Sequence, residues 1–224
     1  MNIKDYMYSE NKFGMNYKVF YPDNYKDLPL IVYLHGAGER GKNISHLYRH
    51  GLPKLINEGK EFNAVILCPQ CPEQYVWDNV VERTKRIIDH VAADYEIKKD
   101  RICITGSSMG GFGTWMMAKT YPSFFAGIAP VAGGGMSWRT PKLKTTPVLA
   151  IHGVEDEIVP IIYSHLMVDG VNSNGGNAEI IELDGLGHND GIDFAYRNTK
   201  LMDWLAKQRR TNFEYNPEIC EEIF

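Results

Sequence analysis

The chain has 224 residues, 44% hydrophobic and 23% charged, with a formal net charge of −4. That is the composition of an ordinary globular domain, long enough to bury its own core without disulfide or metal staples. No block of like charge occurs. The densest basic spot, KQRR at 207–210, reads as the solvated last turn of a helix, so neither nucleic acid nor a membrane is expected as a partner.

The N-terminal MNIKDYMYSENKFG is polar and aromatic, without the apolar run of a secretion signal. No stretch approaches the ~20 apolar residues that a spanning helix needs. A cytoplasmic location is the expectation for the chain as written, or secretion if a leader has been trimmed. Among the four cysteines, Cys68 and Cys71 form C-x-x-C while Cys103 and Cys220 stand alone. No second ligand pair matches a zinc site. The prolines on both sides of Cys71 disfavour a redox motif at a helix start, so packed thiols at a strand end are expected.

In chain order, two early strands fall around 5–9 and 16–21, followed by the apolar, β-branched run 29–38 that stops at glycines. A helix over 44–58, with Pro53 able to bend it, leads to a buried strand at 64–69. Residues 80–95 place Val80, Val81, Thr84, Ile87, Ile88, Val91 and Ala92 on one helical face, with charge on the other. Then come a strand at 101–106, a helix at 112–120, strands at 126–133, 147–153 and 178–185, and helices at 160–172 and 192–208.

Near-continuous apolar strands alternating with helices imply an α/β domain whose central sheet is mostly parallel and flanked by helices on both faces. One domain over 1–224 is expected, with a tail, 211–224, of unassigned role. In such sheets ligands bind beyond the carboxyl ends of the strands. The loops to search are therefore HGAGERG, CPQCP, GSSMGG, AGGG, HGVEDE and GLGHN.

Gly106-Ser107-Ser108-Met109-Gly110 is G-x-S-x-G between a strand and a helix. In a nucleophile elbow the middle residue sits on a strained strand-to-helix turn, so Ser108 is the candidate nucleophile and Ser107 points elsewhere. A serine hydroxyl needs a base, and the base an orienting acid. In this chain order the acid follows the serine and the histidine comes last. His188, in the strand-closing loop ELDGLGHND, is the candidate base; His165 reads as a surface residue and His152 as a loop tie. Asp156, in HGVEDEIVP, is the candidate acid, with Asp184 as rival, while Asp190 and Asp193 read as helix-start carboxylates. The oxyanion donors expected are the backbone amides of Met109 and of Ala37, with Gly36 and Gly38 as alternatives to Ala37. His35 reads as a brace for its loop.

Taken together, YLHGAGERG (33–41), CPQCP with Trp77, GSSMGGFGTW (106–115), HGVEDEIVP (152–160) and GLGH (185–188) resemble the α/β-hydrolase superfamily. More narrowly, they resemble compact esterases related to phospholipase/carboxylesterases, dienelactone hydrolases and prolyl oligopeptidase catalytic domains. It implies Ser108, Asp156 and His188 as a triad, Ala37 and Met109 as the oxyanion hole, and Trp77 near the acyl or leaving-group pocket; a core role for Trp77 is equally compatible.

The segment 126–147 is too short for the helical cap of larger lipases, so an open site is expected, suited to small acyl esters or to polymers bearing them. Trp138 is placed either to wall that site or to pack. The implied activity is a serine carboxylesterase without metal or cofactor, acting on short acyl esters, with acetyl or feruloyl esters of plant polysaccharides as candidate substrates. A peptidase or thioesterase of the same fold is the alternative, and a silent binding module is a further one.

Overall fold

The computed structural model describes residues 1–211. Eight strands form one sheet: β1 (Asn2–Tyr6), β2 (Tyr17–Tyr21), β3 (Leu30–Leu34), β4 (Val65–Pro69), β5 (Ile102–Ser107), β6 (Gly127–Val131), β7 (Val148–Gly153) and β8 (Ala178–Leu183). Their order is β1-β2-β4-β3-β5-β6-β7-β8. β1 pairs antiparallel with β2, and β2 antiparallel with β4; every later pairing is parallel.

The helices are α1 (Gly51–Asn57), α2 (Val81–Asp94), α3 (Met109–Thr120), α4 (Ile162–Ser173), α5 (His188–Asn198) and α6 (Leu201–Lys207). Strand alternation decides which helix meets which residue. Leu30, Val32 and Leu34 of β3 pack with Ile87, Ile88 and Val91 of α2, Trp115 and Met117 of α3, and Met167 and Val171 of α4. Ile31 and Tyr33 face the other way, among Leu52 and Leu55 of α1, Ile192 and Tyr196 of α5, and Leu201 and Leu205 of α6. Both faces of the sheet are covered, as its apolar strands require. No helix among the described residues is long and apolar enough to cross a membrane.

Several boundaries differ from the sequence expectation, each for a local reason. The helix expected over 44–58 is a 3₁₀ turn at Ile44–Tyr48 followed by α1. Gly51 breaks it, because its φ is +61° and the Tyr33 hydroxyl lies 2.0 Å from where a Cβ would stand. Pro53 sits in the first turn of α1, where its missing N–H costs no bond. The helix expected over 192–208 is two: Thr199 is extended, and its hydroxyl donates to Ala195 O and accepts the Leu201 N–H. The basic run at 207–210 lies mostly past α6, which ends at Lys207. β1 begins at Asn2, paired with Tyr21, rather than at residue 5. Of the tail 211–224, the residues beyond Thr211 lie outside the described part.

Between β6 and β7 the chain makes only a 3₁₀ segment, Ser137–Leu143. With no cap in that segment, the carboxyl end of the sheet is left open.

Candidate active site

Ser108 joins β5 to α3 at φ +56° and ψ −120°, a left-handed strain that non-glycine residues adopt rarely and mostly at functional turns. The neighbours explain how the strain persists. A Cβ on Gly110 would stand 1.9 Å from Leu34 O, and one on Gly106 2.4 Å from Gly110 O. The glycines of G-x-S-x-G thus let α3 start hard against the ends of β3 and β5. Ser108 N–H donates to Val131 O at 3.0 Å, and its carbonyl accepts Phe112 N–H at 3.1 Å. Ser107 points into the core, with its hydroxyl 3.0 Å from Tyr33 OH.

His188 is the first residue of α5, directly after Gly187 at the N-cap, rather than part of a free loop. Its Nε2 lies 2.9 Å from Ser108 Oγ, and its Nδ1 lies 2.6 Å from Asp156 Oδ2. Asp156 is in turn fixed, its Oδ1 accepting the N–H groups of Ile158 and Val159 at 2.9 and 2.8 Å. One carboxylate oxygen is therefore occupied by its own turn, and the other is presented to the imidazole. That chain of contacts selects the tautomer with Nδ1–H toward Asp156, which leaves Nε2 free to accept the Ser108 proton.

The other two histidines that follow Ser108, and His35, play other parts. His152 is buried, with Nδ1 2.7 Å from Ser164 Oγ and Nε2 2.7 Å from Val159 O and 3.3 Å from Asp156 Oδ2, so it ties the acid and its loop to α4. Burial lowers its pKa. His165 sits on the surface, 3.1 Å from Glu182. His35 is fully buried: its Nδ1 meets Gly36 O at 2.6 Å, and its Nε2 accepts Cys71 N–H at 2.9 Å. Burial depresses its pKa to about 4, so the ring is neutral and braces its loop. Asp184, the rival acid, has no hydrogen bond to His188, which is already paired to Asp156.

A cleft of about 230 Å³ is lined by Gly36, Ala37, Gly38, Glu39, His50, Ser107, Ser108, His188, Asn189 and Ile192. It brings the Ala37 loop over the nucleophile. Met109 opens α3, and Ala37 opens a 3₁₀ turn at Ala37–Glu39; amides at such positions have no intrahelical acceptor and remain available to an anion.

Trp77 does not line this cleft, which corrects the expectation of substrate contact. It is 1% exposed, because α3 packs onto it so closely that a Cβ on Gly113 would stand 2.7 Å from its side chain. Its indole N–H donates to His35 O at 3.0 Å, so it supports the cleft from beneath. Trp138 is the reverse case: at 62% exposure it packs on little. Cys68, Cys71 and Cys103 are buried free thiols, and burial pushes Cys71 up to about 12.

Sequence reasoning passed over Glu39, Arg40, Arg49, Asn189 and Ile192. Glu39 and Arg40 fall inside HGAGERG and Asn189 inside GLGHN, whereas Arg49 and Ile192 lie in no motif that draws attention to them.

The parallel sheet with a strained serine at the β5–α3 turn and a histidine opening α5 defines an α/β-hydrolase. Residues 72–194 match the phospholipase/carboxylesterase family, and the chain belongs to it. It is 26% identical over 165 residues to a bifunctional acetylxylan esterase/xylanase from Neocallimastix patriciarum, which covers 70% of this chain and 23% of that protein. Over 50 residues it is 48% identical to poly(3-hydroxyalkanoate) depolymerase C of Paucimonas lemoignei, covering 22% of this chain and 12% of that one. A solved thermostable esterase superposes with a TM-score of 0.79 at 26% identity, over 93% of this chain and 63% of the other. The chain thus spans less than two thirds of the length of each of these relatives.

Proposed function

We propose that the protein is a serine carboxylesterase that hydrolyses small acyl esters through an acyl-enzyme. The observation that carries this reading is the hydrogen-bonded relay Ser108 Oγ–His188 Nε2 at 2.9 Å and His188 Nδ1–Asp156 Oδ2 at 2.6 Å, mounted on a strained elbow. Ser108 Oγ attacks the ester carbonyl carbon as its proton passes to His188 Nε2. The imidazolium that forms is stabilised by Asp156. The carbonyl oxygen, now anionic, is held by the Met109 and Ala37 amides. The C–O bond to the alcohol breaks, and the departing oxygen takes the proton from Nε2. Water then attacks the acyl-serine with His188 as base, the acyl–Oγ bond breaks, and the proton returns to Ser108.

The substrate side is open. Large apolar side chains stand exposed on the segments after β6 and β7: Ile158, whose N–H meets Asp156, Tyr163 against Phe112 with ring centroids 5.9 Å apart, and Met136 and Trp138 in the β6–β7 segment. The cleft beside Ser108 is small, about 230 Å³. Short acyl groups on a bulky alcohol suit that shape. The acetylxylan esterase relative supports acetyl esters of plant polysaccharides as the substrate class, with feruloyl esters as the aromatic variant that an exposed Trp and Tyr would accept.

Hydrolysis of p-nitrophenyl esters from acetyl to decanoyl, of methyl ferulate and of acetylated xylan, each with Ser108→Ala as control, tests the reading. Turnover of acetyl or butanoyl esters that disappears in the variant supports it. A folded wild type that cleaves none of these esters rejects it. Faster turnover of an acyl-thioester than of its oxygen ester would move the activity to thioesters.

A further inference from the structure

The five carbonyl groups of residues 35–39, the loop that carries Ala37, each accept a hydrogen bond from a side chain. His35 O takes the Trp77 indole N–H at 3.0 Å, and Gly36 O lies 2.6 Å from His35 Nδ1. Ala37 O takes Arg40 Nε–H at 3.0 Å, and Gly38 O takes Arg49 Nη1–H at 2.5 Å. Glu39 O takes Gln70 Nε2–H at 2.9 Å. The donors come from four places in the chain: the loop itself, the 3₁₀ segment before α1, the end of β4 and the turn before α2.

A peptide unit has its C=O and N–H on opposite sides. Fixing a run of carbonyls to donors in the body of the protein fixes the direction of the following N–H groups. The Ala37 N–H belongs to the same peptide plane as Gly36 O, which His35 holds, and the Gly38 N–H to the plane of Ala37 O, which Arg40 holds. A flip of either plane would break a side-chain bond and turn a carbonyl toward the anion. Glu39 crowds the start of the loop: its carboxylate is buried, its Oε2 lying 3.3 Å from where a Gly36 Cβ would stand.

We infer that Arg40, Arg49 and Gln70 are positioning residues: by clamping the Ala37, Gly38 and Glu39 carbonyls they hold the loop in the shape in which His35, bonded to Gly36 O, aims the Ala37 amide at the oxyanion before substrate arrives. This rests on the esterase reading of the site. None of the three donates to the reacting atoms in that reading; each acts through the loop backbone. Donors already oriented in the resting protein spend no reorganisation at the moment of reaction, which is why such geometry raises kcat rather than lowering KM.

Arg40 and Arg49 are the pair to change, because neither is buried in the core, and an unchanged melting temperature would show that the fold survives their loss. For Arg40→Ala/Arg49→Ala, kcat on p-nitrophenyl acetate should fall about 10- to 100-fold with KM within about twofold. Affinity for an aryl boronic acid, which forms a tetrahedral anion on the serine, should fall with it. Arg40→Gln keeps a neutral donor, and Arg40→Lys keeps the charge. Partial recovery by Gln supports positioning, whereas recovery by Lys alone assigns the effect to charge and overturns the clamp. Hydrogen exchange across 35–41 provides a readout that does not depend on turnover, and the double variant should exchange about 10-fold faster there than the wild type. If the wild type hydrolyses no ester but the exchange still rises, the esterase reading fails while the clamp stands. Unchanged kcat together with unchanged exchange overturns the clamp itself.

Discussion

The floor of the cleft and its rim are built on opposite plans. On the floor, Ser108 is pinned by glycines that admit no Cβ, Asp156 by two backbone amides, and the 35–39 loop by five side-chain donors. On the segments that leave the carboxyl ends of β6 and β7, which we call the rim, Ile158, Ile162, Leu166, Met136, Tyr163 and Trp138 stand between 44% and 67% exposed, with much of their apolar surface in water. Exposed apolar area on this scale is retained at binding surfaces more readily than at inert ones. The difference teaches where rigidity is placed: the groups that meet charge in the transition state are over-determined, and those that meet the body of a substrate are left adaptable.

Substitutions should therefore lose their force from floor to rim. Ser108→Ala is expected to lower kcat/KM on p-nitrophenyl acetate by about 10⁴- to 10⁶-fold, with an unchanged melting temperature. Asp156→Asn should cost about 10⁴-fold in kcat, because an amide oxygen can still accept the Ile158 and Val159 N–H groups but no longer selects and stabilises the right imidazole. A wild-type rate in either variant would break the contrast at its strongest point. Gly110→Ala tests the steric half of the floor: its Cβ would overlap Leu34 O, which lies 1.9 Å away, so loss of folding or at least ~3 kcal/mol in urea denaturation is expected.

Much of this floor was legible in the sequence, because its demands are local. G-x-S-x-G after a strand can be read as a steric requirement without knowing the fold, and the order serine, acid, histidine limited the candidates to a few residues. The same reading selected Asp156 over Asp184, and the structure pairs His188 with Asp156. Helix breaks were less legible. Gly51 looks like any helical glycine until Tyr33, eighteen places earlier in the chain, is seen to need its space. Trp77 was misplaced because a tryptophan near a motif carries no sign of whether it faces the substrate or the underside of α3. The carbonyl donors were invisible for a related reason: Gln70 and Arg49 meet the loop only through tertiary contacts.

Beneath the floor lies the brace, His35, fully buried. Its pKa is held at about 4, below the usual value, by burial. The unfolded chain therefore binds a proton that the folded one excludes, and stability falls as pH drops from about 6.5 toward 4. The His35 contribution amounts to about 3 kcal/mol. The neighbouring Glu39 carboxyl is raised by burial and has the opposite sign, its cost growing as pH rises through its folded pKa. Urea titrations of wild type and His35→Gln across that range should show a steeper acid loss in the wild type; parallel curves would remove His35 as the cause. At the rim, Trp138→Ala should change the melting temperature by less than about 2 °C and kcat/KM on p-nitrophenyl acetate by less than about twofold, given its 62% exposure. Any larger effect should appear only with acetylated xylan or methyl ferulate.

The most direct test of the central claim is intact-mass and peptide mass spectrometry after incubation with a fluorophosphonate, on the wild type, His188→Ala and Ser108→Ala. The account predicts one adduct per chain on the peptide that contains Ser108, slowed strongly by His188→Ala and abolished by Ser108→Ala. No adduct on the folded wild type, or one that persists on another residue in Ser108→Ala, would contradict it.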